Sequence, residues 1–217
     1  MNAANTLKKL GIEKTFEYIY KDPDKNMPKI MDWADKFADG EFPTQREMIR
    51  EAITNPEHPY YDFIRHLIND VDPKVTKTLA VNFFINSALV GWKKEEELRK
   101  KYNCNIPWAI LLDPTSACNL HCTGCWAAEY GHKLNLTYDE IDDIICQGKK
   151  LGVYLYIYTG GEPLVRKKDL IRLCEKHSDC VFLCFTNATL IDEEFADEML
   201  RVGNFVPAIS LEGFEEA

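Results

Sequence analysis

Three cysteines stand close together at Cys118, Cys122 and Cys125, in the stretch CNLHCTGC. Thiolates hold zinc ions and iron–sulfur clusters in proteins. A structural zinc site closes with four ligands, and a ferredoxin-type cluster needs a fourth cysteine at a characteristic distance, which this stretch lacks. Three thiolates on a cluster leave one metal position open, which is useful when another group has to bind there.

A closed zinc site is an alternative interpretation of the same stretch. His121 and His132 are nearby candidates for a fourth ligand. Cys104 or Cys146 would have to fold back to supply one. The residues alone therefore predict either a closed metal or cluster module, used for structure or electron transfer, or an open cluster that binds a further group.

Composition narrows the class of protein. The chain has 217 residues, 46% of them hydrophobic, and eight cysteines without a secretory signal at the start, which predicts a folded cytoplasmic protein rather than a disulfide framework. All of the formal net charge of −9 falls after Asn105, so the sequence predicts no nucleic-acid binding. The most apolar stretch, from Leu79 to Trp92, is too short to span a membrane and predicts a buried helix.

The elements that position the cysteines follow from hydrophobic periodicity. Residues 1–105 predict consecutive helices and no strand, including a long element from Pro73 that is interrupted near Gly91. We interpret them as a helical N-terminal domain. From residue 106 the pattern changes to strand, helix, strand, helix, strand, helix, strand, in which Thr137 and Glu140 predict a capping box.

Strands joined by single helices run parallel, so residues 106–217 predict a parallel α/β unit whose strand ends share one edge. The cysteines and the segments TGGEP, TNATL and SLEG all fall at such ends. In TGGEP, Gly160 and Gly161 let the backbone approach a ligand closely, and exposed carbonyls with the Glu162 carboxylate can receive an ammonium group.

These segments, in this order, resemble the radical S-adenosylmethionine (SAM) superfamily from Ile106 to the C-terminus. The resemblance implies that Cys118, Cys122 and Cys125 bind a 4Fe-4S cluster whose free iron is chelated by SAM. It further implies reductive cleavage of SAM to a 5′-deoxyadenosyl radical, which abstracts hydrogen from an unidentified substrate. The non-enzymatic zinc or iron–sulfur module is the alternative.

The resemblance also implies roles for the other segments. TGGEP resembles the family segment that receives the amino group of SAM, and TNATL resembles a segment in which Asn187 reaches the cofactor or the substrate. Ser210 and Glu212 in SLEG are expected at the ribose or the carboxylate. Gly124 stands where the family usually has an aromatic residue near adenine, so Trp126 is the expected adenine contact.

The family barrel usually has six strands, and this chain predicts about four. The resemblance therefore implies a partial (β/α) barrel truncated at the C-terminus, with a missing segment or an oligomeric partner covering the last strand. The expected partners are an electron donor such as flavodoxin or ferredoxin, and a small-molecule or peptide substrate.

Overall fold

The structure, a computed structural model, describes residues 11, 14–37, 43–125, 127, 131, 133–211 and 213. The chain divides into two compact units, Met1–Lys77 and Thr78–Ala217. Residues 78–105 therefore group with the sheet-forming part of the chain, while the boundary near residue 105 stays a prediction.

The described part of the first unit is helical. Residues 14–21 are followed by α1 (Pro23–Phe37), α2 (Pro43–Thr54), α3 (Tyr61–Asn69) and α4 (Pro73–Ala80). Arg50 of α2 pairs with Asp32 and Asp35 of α1, at 2.7 and 2.5 Å. These pairs are accessible to solvent, so each contributes little to stability. The predicted run of helices is confirmed for these residues.

The chain continues from α4 into a π-helical segment, Val81–Gly91, and then into α5, Trp92–Tyr102. The Trp92 backbone N–H donates to the Ser87 carbonyl, the five-residue spacing of a π-helix. The amide groups of Asn82 and Asn86 donate to backbone carbonyls of residues 178–180, each at 2.9 Å. The predicted interruption is therefore a change of helical hydrogen bonding. Among the described helices, none has the length and apolarity that crossing a bilayer requires.

Four parallel strands form one sheet in the order β1-β2-β3-β4. The elements of this part are β1 (Ala109–Thr115), α6 (Tyr138–Leu151), β2 (Leu155–Gly160), a 3₁₀ turn (Pro163–Arg166), α7 (Lys167–Lys176), β3 (Val181–Thr186), α8 (Glu193–Val202) and β4 (Phe205–Ile209). Neighbouring strands are parallel and are joined by crossovers that contain a helix. The predicted fold class, helices followed by four parallel β/α strands of a partial barrel, is confirmed.

The core lies between one face of the sheet and the helices. Tyr156, Tyr158 and Phe182 are fully buried on this face, and each tyrosine ring stacks on the phenylalanine with centroids 5.7 and 5.6 Å apart. Because side chains alternate across a strand, the opposite face carries Leu111 and Phe185, which are 59% and 46% exposed. One-sided packing fixes the strands and leaves their carboxyl ends accessible.

The ends of α6 follow the sequence closely. Thr137 and Glu140 form the predicted capping box, in which the Thr137 N–H donates to the Glu140 carboxylate at 2.7 Å and the Glu140 N–H donates to the threonine hydroxyl at 3.2 Å. Gly152 ends the helix with φ 104°, and a Cβ there would lie 2.7 Å from the Gly91 carbonyl oxygen. The same glycine therefore ends α6 and leaves room for the Gly91 carbonyl at the end of the π-helical segment.

Candidate functional site

The residues predicted to do chemistry gather at the carboxyl edge of the sheet. Cys118, Cys122 and Cys125 follow β1, Gly160, Gly161 and Glu162 stand at the end of β2, Asn187 follows β3, and Ser210 follows β4. Trp126 and Glu212 lie outside the described residues, so their roles stay predictions. The strand order explains why segments distant in sequence meet here.

The cysteine loop, residues 117–133, is closed at its base by the chain on either side. Residues 114–116 and 134–136 pair through backbone hydrogen bonds of 2.8 and 3.1 Å. Between these bonds lies an antiparallel bridge from Thr115 to Asn135. The end of β1 therefore holds both ends of the loop in place.

Arg166, in the 3₁₀ turn after TGGEP, reinforces this base. Its guanidinium donates to the Pro114 carbonyl at 3.1 Å and to the Leu136 carbonyl, so it contacts both sides of the base. Asp169 accepts from the same guanidinium at 2.7 Å and orients it. Arg166 was not predicted from the sequence, because a lone arginine after a glycine turn does not indicate a contact with a residue 52 positions away.

The two glycines of TGGEP support the start of the cysteine loop. Gly160 has φ 108°, a conformation that L side chains rarely adopt. The Gly161 N–H donates to the Thr115 carbonyl at 3.0 Å, and the Glu162 N–H donates to the Ala117 carbonyl at 2.8 Å. A Cβ on Gly161 would lie 2.2 Å from the Ala117 oxygen. In this structure the close approach predicted for these glycines is made to the loop.

The last two cysteines share a tight turn. The Cys125 N–H donates to the Cys122 carbonyl at 3.3 Å, and Gly124 between them has φ 77°. Positive φ at the third position of a four-residue turn favours glycine, which gives a local reason for glycine at this site. Cys118 and Cys125 are half-buried and Cys122 is exposed, so none of the three residues is fully buried.

Glu162 is buried and binds the end of β3. The residue is only 1% exposed. Its carboxylate accepts hydrogen bonds from the Leu164 N–H at 3.0 Å, the Thr186 hydroxyl at 2.7 Å and the Asn187 N–H at 2.8 Å. A carboxylate offers about four acceptor positions, so three are used within the protein. Burial, with the nearby Glu162 charge, also raises the pKa of the Cys184 thiol.

The segment after β3 is bound to the cysteine loop through side-chain amides. The Asn187 side-chain amide donates to Oδ1 of Asn119 at 3.0 Å, and Nδ2 of Asn119 donates to the Thr189 hydroxyl at 2.7 Å. Ala188 has φ 62°, an uncommon conformation for a residue with a side chain. The Ser210 N–H donates to the carbonyl of Thr186, the last residue of β3, at 2.9 Å. Ser210 is exposed. Asn119 was not predicted, because only the fold brings it beside Asn187.

Two cavities adjoin at this edge. The larger has a volume of about 500 Å³, within the range of small-molecule sites, and is lined by Asp113, Ser116, Ala127, Leu134, Asn135, Leu136, Gly160 and Gly161. The smaller, about 60 Å³, is lined by Ser116, Cys118, Leu120, His121, Cys122, Cys125, Ala127, Gly131 and Gly161. Ser116, Ala127 and Gly161 are common to both. The three thiols thus lie beside a small-molecule cavity.

Comparison with known proteins identifies a family to which part of the chain is similar. The family model described as the Radical SAM superfamily matches residues 112–217. The PqqA peptide cyclase of Bradyrhizobium diazoefficiens is 34% identical over 115 residues, which cover 51% of this chain and 30% of that protein. The GTP 3′,8-cyclase of Alkaliphilus oremlandii is 48% identical over 61 residues, which cover 26% of this chain and 19% of that protein.

A solved structure of Streptococcus suis SuiB bound to S-adenosylmethionine has a TM-score of 0.48 and 24% identity, covering 71% of this chain and 35% of SuiB. The chain spans less than a third of the length of the two curated relatives. These relatives are enzymes, and members of the superfamily use a 4Fe-4S cluster and SAM. The prediction of a radical SAM enzyme is consistent with these relatives. Residues 112–217 are therefore similar to the radical SAM superfamily.

Proposed function

We propose that this chain carries the cofactor-binding part of a radical SAM enzyme, in which Cys118, Cys122 and Cys125 hold a 4Fe-4S cluster and SAM occupies the larger cavity. The observation that supports this most strongly is that the thiol-lined cavity adjoins a cavity of about 500 Å³ at the glycine turn. Three thiolates leave one iron without a protein ligand, on the side where a small molecule has room to bind.

The chain's own groups suit the parts of SAM. In this proposal the backbone carbonyls of Gly160 and Gly161 accept hydrogen bonds from the ammonium group of SAM. The carboxylate of Glu162 supplies the acceptor position that is not used within the protein. Asn187 and Ser210, at the ends of β3 and β4, are proposed to contact the cofactor or the substrate. Trp126 and Glu212 keep their proposed roles at the adenine and at the ribose or carboxylate.

The larger cavity has an apolar wall and one carboxylate. Leu134, Leu136 and Ala127 form that wall, whereas Asp113 near the end of β1 supplies an exposed acceptor. Asp113 is therefore a further candidate contact, which the sequence analysis did not select. When bound, the reduced cluster and SAM supply a 5′-deoxyadenosyl radical for hydrogen abstraction.

The proposal extends to the partners of the whole protein. The relatives act on different substrates by name, a peptide and GTP, so both a peptide and a small molecule remain proposed substrate classes. Reductive cleavage requires an electron donor, for which a reduced flavodoxin or ferredoxin in the cytoplasm is proposed. A partner or a second copy is proposed to cover the edge of β4.

Anaerobic reconstitution with iron and sulfide tests the assignment. We expect about four irons per chain, and release of 5′-deoxyadenosine and methionine after reduction in the presence of SAM. Cys125→Ala is expected to abolish both, because the cluster loses one of three ligands. The matched control is Cys104→Ala, which removes an exposed thiol outside the loop and should retain both. Purified protein with one loop-bound zinc, unable to take up iron, would support the structural zinc module instead.

A further inference from the structure

A second group of potential metal ligands lies in the helix layer, apart from the cysteine loop. It consists of Asp142 and Cys146 on α6 and His177, which follows α7. One carboxylate oxygen, the thiol sulfur and one imidazole nitrogen all lie within 4.8 Å of one another. Within the described residues this is the one group of three that meets this distance.

The local structure explains why these three side chains meet. Asp142 and Cys146 are four residues apart on a helix and so project from the same face. His177 caps the C-terminus of α7, where its own carbonyl accepts from the Asn204 amide at 3.2 Å and from the Cys180 N–H at 3.0 Å. Asn204 is fully buried, so the backbone that carries the imidazole is held by the core.

The two oxygens of Asp142 have different partners. Oδ1 lies 2.9 Å from Nε2 of His177, while Oδ2 accepts from the Lys176 ammonium at 2.8 Å. Ligands of a tetrahedral zinc ion lie about 3.4 Å apart when the bonds are about 2.1 Å long, so the first pair needs to separate only slightly. Lys176 then acts as the outer partner that fixes the orientation of a ligating carboxylate.

We propose that Asp142, Cys146 and His177 form a binding site for a divalent transition-metal ion, with Zn²⁺ the best fit and water in the fourth position. A mixed set of oxygen, sulfur and nitrogen ligands suits this borderline-soft ion, whereas Mg²⁺ and Ca²⁺ prefer oxygen alone. The His177 side chain is 4% exposed and that of Asp142 is 17% exposed, so the site is sheltered but reachable.

Binding requires a defined set of proton movements. The Cys146 thiol releases its proton to solvent and binds as the thiolate. Without an ion, Nε2–H of His177 donates to the Asp142 carboxylate. On binding, the imidazole changes to the tautomer with its proton on Nδ1, so that Nε2 is free to hold the ion. Burial lowers the pKa of His177, which keeps the ring neutral near pH 7 and available as a ligand. The net change is one proton released per ion bound, and the bound ion joins α6 to the end of α7.

Co²⁺ is a spectroscopic probe for this site. The full chain with Cys118, Cys122 and Cys125 replaced by Ala removes the competing loop thiols. Titration under anaerobic conditions is expected to load one Co²⁺ per chain, with a thiolate-to-cobalt charge-transfer band and the visible bands of tetrahedral cobalt. Zn²⁺ should displace it. Because a thiol proton is released on binding, the affinity should rise with pH.

Two variants in this background separate the site from other thiols. Cys146→Ser is expected to remove the charge-transfer band and to weaken binding at least about tenfold. Cys104→Ser, which changes an exposed cysteine elsewhere, should leave the band and the affinity unchanged. Matching circular dichroism spectra without metal show whether Cys146→Ser remains folded.

A measurement on the unmodified loop guards against unfolding of the triple variant. Protein with its loop reconstituted with iron and sulfide is expected to hold one additional Zn²⁺ per chain by elemental analysis, and Cys146→Ser to hold none. If less than half an equivalent of either ion binds to the folded protein, or if Cys146→Ser keeps the band and the affinity, the site is a hydrogen-bonded link between helices and the proposal is wrong. Failure of iron uptake alone bears only on the cysteine loop.

Discussion

Gly161 brings the TGGEP backbone against the first residues of the cysteine loop. No side chain fits there, since a Cβ would lie 2.2 Å from the Ala117 carbonyl oxygen and 2.7 Å from that of Ser116. These are backbone atoms of a segment that is itself fixed by β1, so they cannot yield as the tip of a flexible side chain would. The glycine is therefore required by the loop before any cofactor is considered.

Gly161→Ala is predicted to displace the start of the loop and to cost about 1–3 kcal/mol of stability, the usual penalty for overpacking. Iron content per chain after reconstitution should fall well below that of the unmodified protein. Gly124→Ala is the comparison, because its Cβ meets no atom within 4 Å and only the positive φ is penalised, by about 1 kcal/mol. Equal iron content and equal melting temperatures for the two variants would contradict the steric argument.

At the scale of elements, the site depends on how β1, the returning segment 134–136 and the 3₁₀ turn meet. Arg166 links all three. It belongs to the turn, and its guanidinium donates to the Pro114 carbonyl of β1 and to the Leu136 carbonyl of the returning segment. Its side chain is 16% exposed, so water does not readily replace it. The arginine thereby positions the loop that carries the proposed cluster ligands.

Arg166→Lys is predicted to loosen the base of the loop, because an ammonium group lacks the planar fork that reaches two carbonyls and a carboxylate together. Loss of hydrogen bonds to buried carbonyls costs about 1–3 kcal/mol. The melting temperature and SAM affinity are the measurements, and SAM binding should weaken more than the melting temperature alone implies. Arg172→Lys is the control, since Arg172 also pairs with Asp169 at 3.3 Å but is 61% exposed. An equal effect of both substitutions on SAM affinity would show that Arg166 has no special role.

Elements set by local sequence were predictable from it. The capping box of Thr137 and Glu140 and the left-handed Gly152 required only residues within one helix, and both are present. The π-helical hydrogen bonding of Val81–Gly91 was not predictable, because the amides of Asn82 and Asn86 bind carbonyls more than 90 residues later in the chain. The parallel sheet was foreseen because alternation of strands and helices allows few topologies.

The same distinction applies to the site. Cysteine spacing and the glycine segment were recognisable as patterns, whereas Arg166 and Asn119 act only through contacts formed by folding. For the second ligand group, the four-residue spacing of Asp142 and Cys146 was present in the sequence but common among helices. His177 completes that group only after α6 and α7 pack side by side.

At the scale of the whole sheet-forming unit, the helix that precedes β1 packs against the end of α6 at a buried carboxylate. Glu95 of α5 has a side chain only 1% exposed, 3.3 Å from Arg99, whose guanidinium also donates to the Ile106 carbonyl at 3.0 Å. A Cβ on Gly152 would lie 3.2 Å from Cγ of Glu95, so this carboxylate packs directly against the end of α6. Burial raises the pKa of Glu95 despite the attraction of Arg99.

The pH dependence of unfolding tests this coupling. A group whose pKa is higher in the folded state than in the unfolded state binds its proton more tightly when folded, so the ionised Glu95 reduces stability at pH 7. This penalty disappears as the pH falls through the folded pKa toward the ordinary value near 4.5. One pKa unit corresponds to about 1.4 kcal/mol, which sets the scale of the effect. Relative to Glu95→Gln, the unmodified protein should therefore gain stability between pH 7 and pH 4.5, measured by guanidinium unfolding. Glu96→Gln, at an exposed position on the same helix, should show no such difference, and parallel pH profiles for the protein and Glu95→Gln would contradict a raised pKa.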